Sequence, residues 1–145
     1  MSNSLESINL DFNKNFHTVF KKPELIQSFL TKRSNKFDEI IRKEFTRREL
    51  DTDFALVALG GYGRKELFPS SDIDLSIIQL NPKTKKIEDI KDFIGWLWTL
   101  KVKVGHSVRT VKDIENITKS DLKEFTSYLS HRIIFCNKDK VASLR

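Results

Sequence analysis

GGYGRKELFPSSDIDL, residues 60 to 75, joins two apolar runs: FALVAL (Phe54 to Leu59) leads into it and Ile73 to Leu80 leads out of it. Both runs have the length and residue types of buried strands, the first ended by glycines and the second by Asn81 and Pro82. Asp72 and Asp74 stand at i and i+2 where the second run begins, so their side chains project from one face of an extended chain. Two carboxylates on one face can share a divalent ion. Hard oxygen ligands suit Mg²⁺, which takes few protein carboxylates and fills its remaining positions with water and phosphate oxygens.

Gly60 and Gly61 follow directly on the first strand, where missing side chains allow backbone N–H groups to approach an anion closely. The pair therefore reads as a phosphate cradle. The spacing departs from G-x-G-x-x-G and from the P-loop, which needs Gly-Lys-Ser or Gly-Lys-Thr after four intervening residues. Arg64 and Lys65 carry two readings, contact with a polyphosphate or solvated cations beside a turn. Glu66 reads as a structural partner within the turn. Ser70 and Ser71 are open between binding phosphate and capping or shaping the turn.

Upstream, Leu25, Ile26, Phe29 and Leu30, then Phe37, Ile40, Ile41 and Phe45, recur at helical spacing behind Pro23. They predict one long helix, or two meeting near Ser34 and Asn35. Residues 1 to 22 lack periodicity and are expected to form a loose arm, leaving 23 to 145 as the domain. Downstream, Ile87, Ile90, Phe93, Ile94, Leu97 and Trp98 predict an amphipathic helix over 85 to 100. Val102, Val104, His106 and Val108 alternate as in a strand reaching Thr110. A last helix is expected over 120 to 135, with Ser120 near its start and Leu122, Phe125, Leu129, Ile133 and Ile134 on its apolar face.

The chain has 145 residues, about one domain's worth, with 39% hydrophobic and 32% charged residues. That balance excludes disorder, and no apolar run approaches the ~20 residues a bilayer requires. With no secretory leader and a lone Cys136, the chain reads as cytoplasmic, without a membrane partner. The net charge of +6 comes from scattered cations without interleaved aromatics, so nucleic acid is not an expected partner.

Taken together, strand, Gly-Gly, a short turn and Ser-Asp-x-Asp opening the neighbouring strand resemble the polymerase-beta-type nucleotidyltransferase superfamily, an α+β fold with a small mixed sheet backed by helices. Within it, GGYGRKELFPSSDIDL and the later KVGHSVRT (Lys103 to Thr110) resemble the bacterial PII uridylyltransferases. The resemblance implies transfer of UMP from UTP to a tyrosine of the PII nitrogen-regulatory protein, with Mg²⁺ as cofactor and pyrophosphate as product. It makes Asp72 and Asp74 the catalytic, metal-binding aspartates, and Gly60 and Gly61 the glycines at the nucleotide phosphates; Arg64 and Ser71, read from their place in the turn, are further candidates for phosphate contact.

His106, Ser107 and Arg109 fall where related enzymes often carry a third carboxylate, so a substrate role for His106 and Arg109 stands beside a structural one. Members of the family run several times longer, with helical, His-Asp phosphohydrolase and ACT domains. None of His17, His106 and His131 is followed by Asp, so the chain is expected to be a fragment. A minimal stand-alone nucleotidyltransferase acting on another protein, RNA or small molecule, and a non-catalytic partner-binding remnant, are the competing readings.

Overall fold

The computed structural model describes residues 21–68, 71–100, 102–120 and 130–136. Helix α1 (Pro23–Arg47) is one unbroken element of 25 residues, with Pro23 in its first turn and Glu24 and Arg47 placed to oppose the helix dipole. It does not break at Ser34, whose side chain is fully buried where the helix meets the rest of the molecule. A short 3-10 turn (Leu50–Thr52) leads to β1 (Phe54–Leu59), which runs into a four-residue helical turn, α2 (Gly60–Gly63). Strand β2 (Ile73–Gln79), helix α3 (Ile87–Trp98) and strand β3 (Val104–Thr110) follow, then helix α4 (Val111–Ser120) and strand β4 (Arg132–Phe135).

The sheet is mixed, in the order β3-β2-β1-β4. β1 pairs antiparallel with both β2 and β4, and β2 pairs parallel with β3. A parallel neighbour requires a crossover, and α3 supplies it. On one face Phe37, Ile41 and Phe45 of α1 and Phe93 and Leu97 of α3 bury Leu56, Ile73, Leu75 and Ile77. Burial of each such side chain stabilises the fold by about 1.5–3 kcal/mol. The opposite face carries Ala55, Val57, Leu59 and Ile78, partly covered by Val111 and Ile114 of α4.

The expected helix over 120 to 135 is corrected at its C-terminal end. A further helix, not expected from the sequence, occupies Val111–Ser120. Residues 132 to 135 form β4, with Val57 opposite Ile133 and Leu56 opposite Phe135 across an irregularity in the ladder. The open edge of β1 offers hydrogen-bonding groups that a β-branched and aromatic run satisfies, and this outweighs a four-residue apolar spacing continued from Leu129 into Ile133. Residues 121–129 lie outside the described residues, as do 1–20 of the expected arm. The three predicted strands and the helix over 85 to 100 form with ends within a few residues of those expected.

Candidate functional site

Antiparallel pairing sets Leu59, the last residue of β1, opposite Asp74 near the start of β2. The glycine turn thus begins beside the aspartates. Gly60 has φ +58°, a left-handed conformation that glycine adopts without steric cost, and it swings the chain out of the sheet into α2. The first-turn N–H groups of such a turn have no acceptor within the helix.

The Asp74 carboxylate lies in a slot between two glycines. A Cβ built on Gly60 would come 3.2 Å from Oδ2, and one built on Gly105, its neighbour across the β2–β3 ladder, 2.7 Å from Oδ1. Loss of water in this slot is the main reason the Asp74 carboxyl is held above its ordinary value, with the charge of nearby Asp72 adding to it. Both aspartates remain exposed to solvent as whole residues. Among the described residues neither aspartate has an ion-pair partner, and no third His, Cys, Asp or Glu joins them as a metal-ligating group. Two close, uncompensated carboxylates form a donor set that fits a hard divalent cation completing its shell with water and phosphate oxygens.

Three attachments hold the turn. Tyr62 is fully buried and donates its hydroxyl to Asp38 Oδ1 of α1. Burial, then the charge of Asp38, keep that phenol well above its usual pKa, so it remains a donor. Arg132 of β4 pairs with Asp38, donates Nη2 to Tyr62 O at 2.9 Å and Nε to Gly63 O at 3.3 Å, and lies 5.2 Å from the Tyr62 ring centre. Gly63 packs so tightly that an added Cβ would meet Ser130 O at 2.1 Å and Ala58 O at 2.9 Å. Farther along, Arg33, 2% exposed, donates Nη1 to Leu67 O at 3.0 Å and Phe68 O at 3.1 Å, and burial lowers its pKa to about 10.

The remaining residues singled out in the sequence divide. Arg64 donates Nε to Glu66 at 3.2 Å and Nη1 to Ser130 Oγ at 3.1 Å, so Glu66 pairs within the turn as its position suggested. The Arg64 guanidinium stays beside Gly61, 3.8 Å from where a Cβ would stand. Ser71 donates its backbone N–H to Phe68 O at 2.9 Å, and Ser70 lies outside the described residues.

On β3, Gly105, Ser107 and Arg109 register with Asp74, Ser76 and Ile78 and share their face. Arg109 stands four residues along the strand from Gly105, about 13 Å. His106 projects from the opposite face, its ring 5.5 Å from Trp98 at the end of α3, so the structure does not bring it to the aspartates.

Two groups escaped the sequence reading. Asp38 and Arg33 left one visible trace, charged residues interleaved with the apolar stripe of Leu30, Phe37 and Ile41. Gly105 left none beyond being a glycine inside a strand.

A family model described as a nucleotidyltransferase domain matches residues 38–136. The chain is 39% identical over 121 residues to the bifunctional uridylyltransferase/uridylyl-removing enzyme of Cupriavidus metallidurans, covering 83% of this chain and 14% of that protein. The proteins of the same name from Pseudoalteromonas translucida and Hydrogenovibrio crunogenus are each 35% identical, over 133 and 143 residues, 90% and 93% of this chain. The chain spans 15% of the length of each of these two relatives. Among the described residues no helix is long and apolar enough to cross a membrane.

Proposed function

The chain belongs to the nucleotidyltransferase domain family, and from that premise we propose that it transfers UMP from UTP to a tyrosine hydroxyl of a PII signal protein, releasing pyrophosphate. The name shared by the relatives supports the uridylyl group, and the closeness of GGYGRKELFPSSDIDL and KVGHSVRT to the PII-modifying enzymes supports the acceptor. The observation that carries the reading is the pair Asp72 and Asp74, with the Asp74 carboxylate seated against Gly60, where the glycine turn leaves β1.

In this reading Asp72 and Asp74 hold Mg²⁺, which when bound neutralises charge developing on the phosphate oxygens. Gly60 and Gly61 let the triphosphate approach the backbone of the turn, and Arg64 adds a cation beside it. Such transfers depend on positioning and electrostatics rather than on covalent chemistry by the protein. The acceptor hydroxyl gives its proton to solvent as its oxygen bonds to the α-phosphorus, the bond to the bridging oxygen breaks, and pyrophosphate leaves with that electron pair. The buried clamp of Asp38, Tyr62 and Arg132 keeps the turn in place while this happens. Arg109 shares the Asp74 face and is the better placed of the two β3 candidates for a substrate contact.

Calorimetric titration of UTP with Mg²⁺ into wild type and Asp74→Ala tests the site. The variant should lose most binding, at least about tenfold, with the fold retained, because Asp74 is a ligand and not part of the core. Equal binding by the two proteins would overturn the assignment. A labelled-UMP assay on PII tests the acceptor independently: nucleotide bound and turned over with no label on PII would replace the acceptor and leave the site standing.

A further inference from the structure

The fold itself does not require a glycine at position 105. Gly105 lies inside β3, where glycine weakens a strand because it packs nothing and loses more backbone freedom than other residues. Its φ is not in the left-handed region, which among the glycines only Gly60 occupies. It is exposed, so no helix or second backbone presses on it. What a side chain there would strike is the Asp74 carboxylate, with Oδ1 2.7 Å from an added Cβ and only the carboxylate's own Cγ otherwise within 4 Å. Gly60 faces the same carboxylate, but its left-handed φ already calls for glycine, and glycines elsewhere meet other surroundings. A Cβ on Gly63 would meet backbone oxygens, and one on Gly95, exposed on α3, would meet nothing within 4 Å.

We infer that Gly105 is a positioning residue for the metal site, keeping open the space from which the Asp74 carboxylate faces the glycine turn; this rests on the nucleotide-site reading above. Gly60 stands on the other side, where an added Cβ would come 3.2 Å from Oδ2, and its left-handed backbone favours glycine there on its own account. A methyl group at 105 would displace the carboxylate, which swings to another rotamer, out of the slot. The carboxylate is the end of a short side chain with two torsions, so it rotates without disturbing the strand. Fold and site are therefore separable at this position.

The experiment is Gly105→Ala, made in wild type and in Asp74→Ala, with thermal melts of all four proteins and titration of Mg²⁺-UTP into wild type and Gly105→Ala. Gly105→Ala should melt at or above the wild-type temperature yet bind about 10–100-fold more weakly, the usual loss when a group that orients a metal ligand is changed. In the Asp74→Ala background the same alanine should raise the melting temperature by more than it does in wild type, because no carboxylate then has to move. Affinity within twofold of wild type, an equal temperature change in the two backgrounds, or loss of the fold in Gly105→Ala would each overturn the inference. Failure of wild type to bind Mg²⁺-UTP would instead remove the nucleotide reading on which it stands.

Discussion

At the scale of single residues, Asp74 is held in a state that costs stability. Its carboxyl is raised above the ordinary value of 3.8, first by loss of water and then by Asp72. A raised carboxyl favours folding while protonated; that contribution is complete below the unfolded pKa and is lost as pH rises through the folded one. Asp74→Asn should therefore be more stable than wild type at pH 7, by less than about 1 kcal/mol because solvent still reaches the group. Urea midpoints from pH 4 to pH 7 should show the difference shrinking as pH falls, and a difference independent of pH would mean that ionisation is not its source. The pair Asp72 and Asp74 was legible because strand alternation makes i, i+2 a statement about geometry. The same alternation separates His106 from Arg109, three positions apart and so on opposite faces. Asp38, Arg33 and Gly105 were opaque because their meaning lies in partners distant along the chain, which local periodicity does not encode.

Among the secondary-structure elements, β1 and β2 could be read from sequence because each is a short apolar run closed by turn residues, and α3 because its apolar positions keep one helical period. The C-terminal elements could not, since Ile133 continues a helical spacing by coincidence and the demand for a strand comes from the open edge of β1. Helix α4 did carry a signal: Thr110 and Asp113 form a reciprocal cap, Thr110 N–H donating to Asp113 Oδ2 at 2.9 Å and Asp113 N–H to Thr110 Oγ1 at 3.1 Å. The Thr-x-x-Asp spacing before Ile114 is the sequence form of that cap. Thr110→Val should cost α4 about 1 kcal/mol of local stability. Hydrogen exchange would show this as faster exchange confined to α4 amides, and equal acceleration across β1 and β2 would show that α4 does not open as a separate unit.

Across the whole molecule, α1 is the frame to which the site is fastened. Arg33 holds the carbonyls of Leu67 and Phe68, Arg42 donates Nε to Ile134 O at 3.1 Å, and Asp38 binds both Tyr62 and Arg132. Asp38→Ala would leave a largely buried guanidinium and a fully buried phenol without their acceptor, a loss of about 3–5 kcal/mol in urea unfolding. Asp38→Ala combined with Arg132→Met should cost less than the two single changes added together, and strict additivity would show that the three side chains do not act as one unit. The separation of 94 positions between Asp38 and Arg132 also imposes an order in time. A chain emerging from the ribosome presents its glycine turn and both aspartates well before Arg132, and domains fold largely as they emerge. The groups that would bind the ion are thus made early, while the arginine that steadies them arrives near the close of this domain's synthesis, so a half-made chain carries the ligands before it has the frame.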